Sequence, residues 1–127
     1  MQTQNKLSAF GIGVSDLEKS VEFYTKFLKL PEMYRYKLSY MDEVVVGHPG
    51  EAAIVLMHYT DGSSRNYTDN PVKLAFGVPD PAAVLASLRE GGFQVIADAR
   101  TYEDQKLIVG FAKDPDGYVI ELFAPST

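Results

Sequence analysis

Phe111-Ala112-Lys113-Asp114-Pro115-Asp116-Gly117-Tyr118-Val119-Ile120-Glu121-Leu122 carries more structural information than any other run of this chain. At its centre, Asp114-Pro115-Asp116-Gly117 reads as a tight turn, because proline presets one turn dihedral and glycine supplies a left-handed one. Apolar segments flank it, Lys106 to Ala112 before and Tyr118 to Phe123 after, so the whole reads as a hairpin of two strands. Upstream lies another strand candidate, Phe93 to Ala97, which follows Gly91-Gly92, a helix stop. The helix it ends begins at Asp80-Pro81, an N-cap with proline at the first helical position, and Val84, Leu85 and Leu88 form its apolar side. Before that, Val72 to Val78 reads as a strand.

The same order appears earlier in the chain. Leu7 to Val14 is a strand candidate, and Ser15-Asp16-Leu17-Glu18 fits a capping box with Ser15 as the N-cap. Leu17, Val21, Tyr24 and Leu28 share one helical face, widened by Phe23 and Phe27. Lys26 and Lys29 suit the negative end of the helix dipole, and Pro31 stops the helix. Tyr34 to Tyr40 alternates, with Tyr34, Tyr36, Leu38 and Tyr40 on one face. Glu43 to Gly47 and Ala52 to Tyr59 are further strands around a turn at His48-Pro49-Gly50-Glu51, and the polar run Asp61 to Asn70 is a connection.

Each half therefore reads strand, helix, strand, strand, strand. Placing Ala9 on Lys73, a shift of 64, superposes Gly13 on Gly77, Val14 on Val78 and Asp16 on Asp80. Placing Val55 on Glu121, a shift of 66, superposes Pro49 on Pro115 and Ile54 on Ile120. Two segments agreeing in order and nearly in shift point to a duplication. The expectation is one α/β domain over residues 1–127, with repeats at about 6–60 and about 71–124. Two such curved sheets, related by a pseudo-twofold axis, would enclose a cleft suited to a small molecule.

Composition narrows the function classes. There is no cysteine, which removes disulfides, thiolate metal sites and a cysteine nucleophile. The net charge of −5 carries no basic footprint for nucleic acid, and no apolar run reaches membrane-spanning length. The expected setting is cytoplasmic, with a small-molecule ligand, no nucleic acid and no membrane.

The run from Val14 to Tyr24 and the run from Phe111 to Leu122 together resemble the vicinal-oxygen-chelate superfamily, which includes glyoxalase I, the bleomycin-resistance proteins and dioxygenases. The resemblance covers nearly the whole chain and implies paired βαβββ modules and a homodimer. In metal-dependent members, four residues hold a divalent ion: one in the first and one in the last strand of each repeat. Carried over, those positions fall on Ala9, Val55, Lys73 and Glu121. Alanine and valine cannot ligate, and a lysine ammonium repels a cation. Neighbouring Ser8, Phe10, Ile54, Leu56, Val72, Leu74, Ile120 and Leu122 offer no better set. The expectation is thus no cofactor; a divalent metal would require a different register. The positions that hold glutathione in glyoxalase I fall on Gly13 and Tyr59, which argues against a glutathione conjugate as substrate.

Lys73 and Glu121 are expected to face each other and to act as the catalytic pair, with Glu121 as a base next to a carbonyl and Lys73 holding the enolate oxygen. A salt bridge that merely fills a vacated metal site is the bland alternative. Tyr34, Tyr36, Tyr40 and Tyr59 are the candidate ligand-binding residues, although the stripe Tyr34, Tyr36 and Tyr40 equally suits packing on the first helix or a dimer interface. His48 and His58 have no carboxylate at ligand spacing. Two functional readings follow from the resemblance: a lyase or isomerase of the glyoxalase I type with a degenerate metal site, or a metal-free binding protein of the bleomycin-resistance type.

Overall fold

The structure, a computed structural model, describes residues 4–68 and 70–126. The chain divides into two compact units, the first ending at Tyr67 and the second beginning at Thr68. Each unit holds one helix and a four-stranded mixed sheet.

The first unit runs β1 (Ala9–Gly13), α1 (Leu17–Glu22) continued by a π-helical turn (Phe23–Phe27), β2 (Glu32–Lys37), β3 (Met41–Val46) and β4 (Ala53–Tyr59). Its sheet order is β1-β4-β3-β2, with β1 and β4 parallel and the other pairs antiparallel. Asp16, not Ser15, caps α1: its backbone is extended and its carboxylate accepts the Lys19 N–H at 3.2 Å. The aspartate takes the capping role one residue further on, so the helix starts one residue later than expected.

The helix does not close as a regular α-helix. Leu28 N–H donates to the Phe23 carbonyl, a five-residue step, at 3.1 Å. The Thr25 hydroxyl donates to the Val21 carbonyl at 2.6 Å, competing with the backbone ladder where the helix widens. The wider turn buries Phe23 and Tyr24 completely, their rings edge to face at 5.0 Å. Lys29, expected in the last helical turn, instead takes a left-handed conformation, and Leu30 N–H reaches back to the Tyr24 carbonyl.

The second unit runs β5 (Lys73–Gly77), α2 (Pro81–Glu90), β6 (Val95–Tyr102), β7 (Leu107–Lys113) and β8 (Val119–Pro125), with sheet order β5-β8-β7-β6. Asp80 caps α2 through the Ala83 N–H, with Pro81 in the first turn, as the sequence indicates. Strand β6 is longer than the expected Phe93 to Ala97 and places Tyr102 at its end. It shifts register against β7 twice: between Val95 and Ala97, which pair with the consecutive Ala112 and Phe111, and in a bulge where Ala97 pairs with Phe111 and Arg100 with Val109, so that Asp98 and Ala99 together face one residue, Gly110.

Register fixes which side chains share a face. In the first sheet Ile12, Val44, Val46, Ile54 and Leu56 lie buried toward α1; in the second Leu74, Ala112, Ile120 and Leu122 lie buried toward α2. Every second residue points to the opposite face, which carries no helix of its own unit.

The Asp-Pro-Asp-Gly run is structural. Asp114 Oδ1 accepts the Asp116 and Tyr118 N–H groups at 3.0 and 2.9 Å, and Gly117 N–H donates to the Asp114 carbonyl. Gly117 has φ +90°, the left-handed geometry the turn needs. Asp114, Asp116 and Tyr118 are all buried, so the turn locks β7 against β8 and sets Phe111 opposite Glu121. Among the described residues no helix is long and apolar enough to cross a membrane.

Candidate functional site

Glu121 stands in the middle of β8, on the helix-free face. Across β8 and its neighbours, that face presents Phe111, Glu121 and Ala75 in one row, Lys113, Val119 and Lys73 in the next, and Val109, Phe123 and Gly77 on the other side. Lys73 lies diagonal to Glu121, and the ammonium bridges the offset: Lys73 Nζ donates to Glu121 Oε1 at 2.9 Å. The Glu121 side chain is 18% exposed and that of Lys73 is 56% exposed. Among the described residues Lys73 is the one hydrogen-bond partner of that carboxylate, so Oε2 is open to a ligand. A half-exposed pair contributes about 0–1 kcal/mol to stability, so the fold does not depend on it.

Glu121 is also part of the lining of a depression of about 310 Å³, together with Tyr102, Gln105, Leu107, Val109 and Phe111. The carboxylate thus sits beside a concave, mostly apolar surface with a few polar tips, the usual make-up of a small-molecule site. Of the lining residues only Glu121 was singled out as a site residue by sequence. The alternation of Leu107, Val109 and Phe111 was available as a signal; the extension of β6 to Tyr102, which brings that ring to the same face, was not.

The four positions of the family's metal set keep their mutual register inside each unit. Ala9 is two residues ahead of Gly11, the partner of Val55, just as Lys73 is two ahead of Ala75, the partner of Glu121. The residues present do not fit a divalent ion: the first diagonal has no donor atom, and in the second an ammonium takes the carboxylate oxygen. Among the described residues no three His, Asp or Glu gather as a metal cluster. His58 is on the α1 side of β4, where Nδ1 lies 2.9 Å from the Val14 carbonyl. A carbonyl only accepts, so Nδ1 carries the proton and the ring ties β4 to the segment leading into α1.

The tyrosines separate. Tyr34 and Tyr36 stack on each other at 6.1 Å on the exposed, helix-free face of β2. Arg35 between them points the other way and pairs with Glu18 of α1, so the stripe does not pack on the first helix. Tyr40 is not on a strand but in the bend between β2 and β3, where it is also exposed. Tyr59 ends β4 beneath the Arg65 guanidinium, 3.7 Å from the ring centroid, while its N–H donates to the Tyr67 hydroxyl at 3.2 Å. The Tyr67 ring packs over Gly13, so close that a Cβ there would stand 3.0 Å from it. Gly13 and Tyr59, the two positions read as departures from glyoxalase I, are therefore both covered by the chain's own loop.

The profile of the Glyoxalase/Bleomycin resistance protein/Dioxygenase superfamily matches residues 6–122. The chain belongs to this superfamily. Among curated relatives, it is 30% identical over 118 residues to the lactoylglutathione lyase of Escherichia coli O157:H7, spanning 86% of this chain and 84% of that protein. Among solved structures, its fold is similar to the trypanothione-dependent glyoxalase I of Leishmania major, with TM-score 0.79, 24% identity, and coverage of 95% of this chain and 87% of that one. It is also similar in fold to TnmS3, an antibiotic binding protein from Streptomyces sp. CB03234, with TM-score 0.76, 22% identity, and coverage of 98% of this chain and 99% of that one. This fold thus occurs both in a protein named glyoxalase I and in one named an antibiotic binding protein.

Proposed function

We propose that this superfamily member is a metal-independent lyase or isomerase that moves a proton next to the carbonyl of a small molecule. The observation that carries the reading is the Lys73–Glu121 pair at the edge of an apolar depression. Glu121 Oε2 takes the proton from the carbon next to the carbonyl; the C–H electron pair becomes the C=C bond of an enolate; the carbonyl electrons move to oxygen, where the Lys73 ammonium holds the charge. Return of the proton to the same carbon completes an exchange; where that carbon bears a hydroxyl, the hydroxyl proton passes to the enolate oxygen, the hydroxyl carbon becomes the new carbonyl and the proton returns to the former carbonyl carbon, which completes an isomerisation. A glutathione hemithioacetal, the substrate type implied by the relatives' name, is a poor candidate because Tyr67 packs over Gly13 and Arg65 over Tyr59.

A second reading, sequestration without chemistry, is favoured by the apolar lining of Leu107, Val109 and Phe111 and by the likeness in fold to an antibiotic binding protein. Deuterium wash-in from D2O, followed by proton NMR on aryl methyl ketones, separates the two. Catalysed exchange that falls at least about 100-fold in Glu121→Gln supports the enzyme. Exchange no faster than in Glu121→Gln, with binding intact in both, refutes it and leaves sequestration. The hemithioacetal of methylglyoxal and glutathione is expected to give no lactoylglutathione with or without added nickel or zinc.

A further inference from the structure

We infer that Arg100 is a specificity-determining residue that holds an oxyanion, a carboxylate or phosphate, on a ligand with an apolar body. The inference deepens the proposed reading of the Lys73–Glu121 site and rests on it for the reacting end of the ligand.

Four arginines occur in the chain. Arg35 pairs with Glu18 and Glu32, Arg65 with Asp61, and Arg89 with Asp98. Arg100 has no carboxylate partner among the described residues. Its guanidinium lies 4.6 Å over the ring of Tyr102, which itself lines the depression beside Glu121. An aromatic face fixes the guanidinium plane while leaving its N–H edge free to donate, a suitable posture for binding an oxyanion in bidentate fashion.

Register places it there. β6 shifts against β7 twice, between Val95 and Ala97 and between Ala97 and Arg100, and beyond the second shift Arg100 pairs with Val109 and Tyr102 with Leu107, both on the open face. The bulged backbone is accommodated by Gly110, where a Cβ would stand 3.2 Å from Ala99 N and Cα. Bulges re-aim side chains at sites of this kind.

Charge agrees. The strands of the second sheet present Lys73, Lys113, Arg100 and Glu121 on the open face, three cations to one anion, in a chain of net charge −5. Between Arg100 and Glu121 stand Val109 and Phe111, both in the depression. From two strand spacings and two residues of rise, Arg100 and Glu121 Cα atoms are separated by roughly 12 Å. The ligand is therefore a carbonyl compound with an apolar, preferably planar, middle and an oxyanion at the far end.

The test uses 4-acetylbenzoate, 4-acetylphenyl phosphate and the uncharged methyl 4-acetylbenzoate, titrated into the full chain by calorimetry at low salt. At least one anion is expected to bind about tenfold or more tightly than the ester. In Arg100→Gln that preference falls below about threefold with ester binding unchanged, and in Arg100→Lys it is partly restored. The stronger of the two anions identifies the source of the oxyanion. A preference that survives Arg100→Gln, equal binding of all three compounds, or binding by none at millimolar concentration overturns the inference. Glu121→Gln serves as the separate arm: loss of the anion preference in Arg100→Gln, alongside deuterium exchange that is indifferent to Glu121, sinks the proton-transfer reading while leaving the oxyanion site standing.

Discussion

Gly110→Ala tests the packing that supports the candidate site. Gly110 is buried in β7, on the face toward α2. A methyl group there would meet the Ala99 backbone at 3.2 Å and Leu85 Cδ1 closer still. Leu85 is 2% exposed, and Ala99 is backbone held in the bulge. Overpacking of this kind costs about 1–3 kcal/mol. With a urea slope near 2 kcal/mol/M, the second unit's midpoint should fall by roughly 0.5–1.5 M. Leu85→Ala alone removes a buried side chain at about 2–5 kcal/mol. In the double variant the new methyl enters the space that leucine vacates, so the pair should be less destabilising than the sum of the singles by about 1 kcal/mol. Urea unfolding followed by circular dichroism measures all four proteins. A Gly110→Ala midpoint indistinguishable from wild type, or strict additivity in the double variant, would show that β6 and α2 do not press on Gly110.

Two further outcomes are expected. Asp114→Ala removes the acceptor for the Asp116 and Tyr118 N–H groups in a buried turn and should cost about 2–4 kcal/mol in urea unfolding; Asp114→Asn, which keeps one oxygen, should cost less. Glu32 has its carboxyl held below the ordinary value of 4.5, chiefly by the hydrogen bond from Arg35, with the nearby charge adding and burial opposing. Because the folded value is depressed, the contribution is present above pH 4.5 and is lost as pH falls through the lowered value. Arg35→Gln should therefore flatten the acid limb of a low-salt stability profile, and the two proteins should converge in about 1 M salt, because both side chains are at the surface. Parallel acid limbs at low salt would contradict this.

Periodicity made most of the fold legible. Alternation placed Tyr34 and Tyr36 on one face of β2 and Ile120 and Leu122 opposite Glu121 on β8, because a pleated strand has a strict period of two. The family resemblance, not parity, put Lys73 and Glu121 at facing positions, and the two side chains lie 2.9 Å apart. What sequence did not reveal was where the period breaks. The β6 bulge depends on contact between Ala99 and Gly110, residues whose meeting is tertiary, and the strand runs on past Ala97, where the sequence pattern stops it, to carry Arg100 and Tyr102 onto Glu121's face. The π-helical turn depends on burying Phe23 and Tyr24 together, and nothing in the local pattern separates that from an ordinary amphipathic helix. The choice of Asp16 over Ser15 as cap was local but ambiguous, since both are good caps side by side.

In each sheet the first strand pairs in parallel with the last: Ala9 with Ala53, and Lys73 with Val119. During synthesis, then, neither sheet can be completed until its own fourth strand has left the ribosome. The first can close once Tyr59 has emerged, before any strand of the second is made, because its strands pair only with one another. The second must wait for β8, and Glu121 arrives with that strand. A nascent chain arrested before β8 would thus hold a finished first sheet alongside a second that lacks both its closing strand and its carboxylate.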